Sequence, residues 1–133
     1  MARKSRKSGF TLAEIMATLV IVGILASIAM PRYQTVVERT RSSEGIQIIT
    51  ALLGAQKRFA LENNGNFSAV LGALDIDIPL SPNFDPPQVF NEPTPPDAAV
   101  SIDRNDGSYT LSVDADGTIS CTGDALLCQK MGY

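Results

Sequence analysis

From Phe10 to Met30 the chain runs for 21 residues with a single charged side chain, Glu14, and this segment limits the possible folds more than any other feature. As a helix rising 1.5 Å per residue it is roughly 32 Å long, enough to cross the hydrocarbon core of a bilayer. Four of the 11 basic residues, Arg3, Lys4, Arg6 and Lys7, precede it. That bias keeps the leader cytoplasmic, although Arg32, Arg39 and Arg41 on the far side weaken the asymmetry. A secretory signal is cut after its apolar run. Here the small residue, Gly9, stands before the run, and a cut there leaves the membrane helix on the mature chain.

Polarity rises beyond Met30 but a helical period persists. Gly45, Ile48, Ile49, Leu52, Ala55 and Phe59 fall on one stripe, with Glu44, Gln47, Lys57, Arg58 and Glu62 opposite. The run "ENNGN" from Glu62 to Asn66 supplies the Asn and Gly that favour a left-handed terminating residue. The pattern predicts one helix from about Phe10 to Glu62, apolar all round over 10–30 and amphipathic over 31–62. Pro31 removes the hydrogen bond to the Ser27 carbonyl and is expected to kink or loosen the helix.

Seven of the eight prolines lie between Pro79 and Pro96, which predicts a long surface loop over 63–98. Before them, "LDIDIP" alternates Leu74, Ile76 and Ile78 with Asp75 and Asp77, an extended stretch able to pin the loop to the body. Residues 99–133 hold three alternating runs, "AAVSIDR", "SYTLSVD" and "GTISCT", separated by Asp106-Gly107 and Asp116-Gly117 turns. They predict an antiparallel meander of three strands. The fold class is therefore α+β, a long N-terminal helix packed on a small antiparallel sheet.

Several function classes drop out. Without its first nine residues the chain has 7 basic against 14 acidic side chains, a poor basis for gripping phosphates, so nucleic acid is not indicated as a partner. There is no histidine, which removes the common metal sets and His-based acid–base catalysis. Neither an enzyme nor a cofactor or metal is expected. "DADG" at Asp114 to Gly117 has the start of a calcium loop but no glutamate at the required distance, and a tight hairpin is expected instead. Cys121 and Cys128 follow a membrane-directed N-terminus, which points to a disulfide made on an oxidising side of the membrane, with free buried thiols as the alternative.

The stretch "KSGFTLAEIMATLVIVGILASIAMP" resembles the N-terminus of a type IV prepilin or a close relative in that superfamily. A short basic leader occupies 1–9, Gly9 precedes the cut, Phe10 becomes the first mature residue, Glu14 the fifth and Pro31 the twenty-second. The following "RSSEGIQIITALLGAQKRFALENNGNFSAVLGALDIDIP" is similar to a subset of bacterial pilins. The resemblance implies that a membrane-embedded prepilin peptidase cuts after Gly9 and methylates the freed amine of Phe10. Subunits would then pass from the inner membrane into a helical homopolymer, through an assembly platform driven by an ATPase, and reach the cell exterior as a pilus. It also implies a partner for Glu14, the positive N-terminus of Phe10 on a neighbouring subunit. A carboxylate in an apolar helix costs roughly 2.5–3.5 kcal/mol on insertion scales, which is why a partner is needed. In the family a C-terminal disulfide loop, here Cys121 to Cys128, often shapes an exposed edge.

Two other readings remain open at this point: a type II secretion pseudopilin using the same leader and Glu14, and a membrane-anchored binding module that never polymerises.

Overall fold

The computed structural model describes residues 9–91 and 97–133. The basic side chains of the leader and the end of the proline-rich loop lie outside the described residues. Helix α1 spans Leu12–Glu62, includes Pro31, and is, among the described residues, the helix long and apolar enough to cross a membrane. Its end follows the expected chemistry: Asn64 and Gly65 have φ of 57° and 88°, and the Gly65 N–H donates to the Ala60 carbonyl at 2.8 Å. The chain parts into two compact units within α1, Met1–Gln34 and Thr35–Tyr133.

In the second unit a four-stranded antiparallel sheet has the order β1 (Gln88–Val89), β2 (Ala98–Asp103), β3 (Tyr109–Asp114), β4 (Ile119–Gly123). Registers such as Ile102↔Leu111 and Leu111↔Cys121 put Val100, Ile102, Tyr109, Leu111 and Val113 on the inner face. They form one core with Ile49, Leu52, Leu53 and Ala55 of α1. The expected stripe differs in detail, because Ile48 and Phe59 are half-buried while Gln56 is fully buried. Gln56 is tolerated there because its amide donates to the Ser68 carbonyl and accepts from the Ser68 N–H, at 2.7 and 2.8 Å.

The stretch from Leu74 to Ile78 keeps its alternation, with Leu74, Ile76 and Ile78 turned inward and both aspartates exposed. The "DADG" turn is the tight hairpin expected, since Asp114 Oδ1 accepts from the N–H groups of Asp116, Gly117 and Thr118 at 3.0, 2.9 and 2.8 Å.

Two elements depart from the three-strand expectation. A fourth strand, β1, arises inside the proline-rich loop where Gln88 and Val89, lying between prolines, keep the backbone N–H groups that proline lacks and pair with β2. The segment after β4 is not an open loop but a second helix, α2 (Ala125–Met131). Asp124 caps it by accepting from the Leu126 and Leu127 N–H groups, and Gly132, with φ of 107°, closes it. A disulfide joins Cys121 on β4 to Cys128 on α2.

Candidate functional site: the helix N-terminus and the polar clasp

At the N-terminus of α1, Thr11 and Glu14 form a reciprocal capping box. The Thr11 N–H and hydroxyl both donate to Glu14 Oε2, at 2.8 and 2.7 Å, and the Glu14 N–H donates back to Thr11 Oγ1 at 3.2 Å. Glu14 is therefore satisfied within its own chain while remaining exposed. The T-x-x-E spacing that announces this box was legible in "TLAE" and is the signal that sequence reasoning passed over. Phe10 is 85% exposed beside it, and the apolar side chains from Leu12 to Met30 are exposed as well. Gly9 stands before the helix, outside any helix or strand, with open space where a Cβ would point.

The second unit holds a polar clasp that no sequence pattern announced. Arg104, 5% exposed, donates through Nε to Glu38 Oε1 at 3.0 Å and through Nη1 to the Asn83 carbonyl and to Asn105 Oδ1. Its guanidinium lies 5.8 Å from the Phe84 ring centroid. The Tyr109 hydroxyl donates to the same Glu38 oxygen at 2.9 Å, and Arg41 meets the other at 3.1 Å. Burial pushes Glu38 up, but the hydrogen bonds from Arg104, Tyr109 and Arg41, with the charge of Arg104, outweigh it and hold the carboxyl below its ordinary value. Burial first, then Glu38, push the Tyr109 phenol up. Nearby, Glu44, expected on the solvent face, is half-buried and accepts from Ser81 and Asn83 at 2.7 and 2.8 Å. These contacts fasten the proline-rich loop and the β2–β3 turn to α1. They are positioning chemistry, with every buried side-chain polar atom among the described residues partnered.

Residues 4–30 match the family described as the prokaryotic N-terminal methylation motif. The chain is similar to type II secretion system core protein G of Aeromonas hydrophila, 40% identical over 62 residues, which is 47% of this chain and 43% of that protein. It is 45% identical over 49 residues to the type IV major fimbrial protein FimA of Dichelobacter nodosus, covering 37% of this chain and 31% of the relative. With a fimbrial protein of Pseudomonas aeruginosa it shares 41% identity over 56 residues, 42% and 36% of the two chains. The chain thus spans less than half the length of these relatives. No solved structure matches it. The chain thus joins an N-terminal methylation motif to a long helix packed on an antiparallel sheet, and over part of its length it is similar to proteins of both the type IV fimbrial and the type II secretion kind.

Proposed function

We propose that the chain is the structural subunit of a type IV pilus, made as a precursor cut between Gly9 and Phe10, methylated on the Phe10 amine and polymerised through α1. The observation carrying this reading is the exposed apolar surface of Leu12 to Met30 behind a motif-matching N-terminus. Such a surface requires lipid before assembly and neighbouring helices after it. Gly9 suits a cleavage site because a residue without a side chain lets the backbone approach a protease closely. The partners on this reading are other copies of the chain, the peptidase, and the assembly platform with its ATPase. The chain has no catalytic task of its own, and its location passes from inner membrane to extracellular filament.

A pseudopilin role is favoured by one observation, that similarity extends over 62 residues of the secretion protein against 49 and 56 of the fimbrial ones. Mass spectrometry of subunits in sheared surface filaments tests the proposal. A chain starting at methylated Phe10 is expected, and Gly9→Leu should leave the leader attached and the subunit in the membrane. A functional protein retaining Met1 or Ala2 would favour a non-polymerising anchor. Its confinement to the periplasm in wild-type cells would favour the pseudopilus.

A further inference from the structure

We infer that the second unit carries both halves of a lateral contact between copies of this chain: a knob on α2 and an apolar groove on the opposite edge. The inference rests on the polymer reading and deepens it.

The groove holds about 80 Å³ and is lined by Ile48, Ile78, Phe84, Pro86, Pro87 and Ile102. That is several times the ~10–15 Å³ one water needs, and the lining offers a water few polar partners. The exposed carboxylate of Asp85 stands at its rim. On α2, Leu126 is 66% exposed although it is a large apolar side chain. Lys130, four residues on, shares its face of the helix. Neither the Lys130 ammonium nor the Asp85 carboxylate has an ion pair among the described residues. An apolar knob with a cation one turn away therefore matches an apolar groove with an anion at its rim.

The two halves lie on opposite flanks. The groove belongs to the segment leading into β1, and α2 follows β4, so the full width of the sheet separates them. Helix α1 gives the same answer independently. Glu44 and Ile48 face the groove segment, whereas Arg39 donates to the Lys130 carbonyl at 2.8 Å and Ser42 meets Tyr133. At 3.6 residues per turn those two sides of α1 are roughly 170° apart. Complementary patches on opposite flanks cannot close on one molecule. They join copies head to tail, the contact type that generates rings or open helical polymers. The occupant of the groove is thus Leu126 of a second copy, with its Lys130 against Asp85.

The test is a charge exchange in full-length chain, expressed in a host carrying the assembly machinery but no wild-type copy. At equal membrane-bound subunit, Asp85→Lys and Lys130→Asp are each expected to lower sheared-filament yield about tenfold or more, because each sets like charges face to face. The double variant should restore most of that yield. Unchanged yield in both single variants, or no recovery in the double, overturns the contact and leaves the polymer reading intact. Absence of filaments from wild-type chain removes both. Should a variant be lost from the membrane, a photo-crosslinking residue at position 126 decides. Linked dimers mapping to residues 78–87 support the contact, and links mapping only elsewhere overturn it.

Discussion

Glu14 is the residue on which the proposed polymerisation turns, and its capping box gives it a second condition to satisfy. In the single chain its carboxylate is occupied by Thr11, so insertion does not leave it bare. On assembly a neighbour's Phe10 amine would bring the charge that Thr11 cannot. Glu14→Gln keeps size and hydrogen bonding but not charge, so membrane levels should hold or rise slightly while filament yield falls sharply. Thr11→Val removes the cap, roughly 1 kcal/mol of helix start, but leaves the charge, so filaments should persist. Normal filament yield from Glu14→Gln would refute the pairing. Gly45 makes a different point about single residues. A Cβ there would stand 2.8 Å from Phe84 Cζ and 2.9 Å from Leu111 Cδ1, whereas at Gly54 the nearest atom is the flexible end of Arg58, 3.7 Å away. Gly54→Ala should gain up to about 1 kcal/mol of helix propensity. At Gly45 that gain is offset by about 1–3 kcal/mol of overpacking, so Gly45→Ala should be neutral to destabilising and Gly45→Val clearly destabilising. Thermal melts of the detergent-solubilised subunit separate the two positions, and equal gains at both would refute the close packing.

Elements differ in how plainly their sequences announce them. Helix α1 and strands β2 to β4 were legible because each repeats its own period for several residues between strong stop signals. The two residues of β1 were not, since they sit among prolines and pair only because β2 offers them an edge. Helix α2 is seven residues long, too short for a period, and its signals were only its ends, Asp124 and Gly132. The element depends correspondingly on those ends and on Cys128. Asp124→Ala should cost about 1 kcal/mol, read as a lower melting temperature with the disulfide intact. Removing the disulfide with Cys121→Ser and Cys128→Ser together opens an eight-residue loop and should cost about 2.5 kcal/mol by the chain-entropy argument. Peptide mapping without reductant should recover both positions in one linked fragment. Free thiols at both positions in purified filaments would remove the link from the account.

At the scale of the whole second unit, the clasp around Glu38 is where long-range structure adds what local sequence lacks. Glu38, Arg104 and Tyr109 are 66 and 71 residues apart along the chain, and nothing in their local patterns pairs them. The N-terminal residues Gly9, Phe10 and Glu14 lie within six positions of one another, which is why that site was legible and the clasp was not. Because Arg104 is buried, truncating it takes away the buried cation beside Glu38 and leaves that carboxylate only Tyr109 and Arg41, so Arg104→Ala should cost on the order of 3 kcal/mol. The clasp also sets a pH dependence. The Glu38 carboxyl is held below its ordinary value of 4.5 in the fold. A depressed carboxyl contributes stability that is fully present above its unfolded value and is lost as pH falls through its folded one. Melting temperature should therefore change little from pH 7 to about 5 and fall progressively below 4.5. Glu44, Asp75 and Asp114 are also held low, by Ser81 and Asn83, by Arg58, and by the backbone N–H groups of their turn. They act in the same direction, but exposure to solvent screens them. Glu38→Gln should thus lower the melting temperature at pH 7 yet flatten its decline between pH 4.5 and 3, so that the two curves converge in acid. Parallel curves for the wild type and Glu38→Gln would show that the acid sensitivity lies in the exposed carboxylates and not in the clasp.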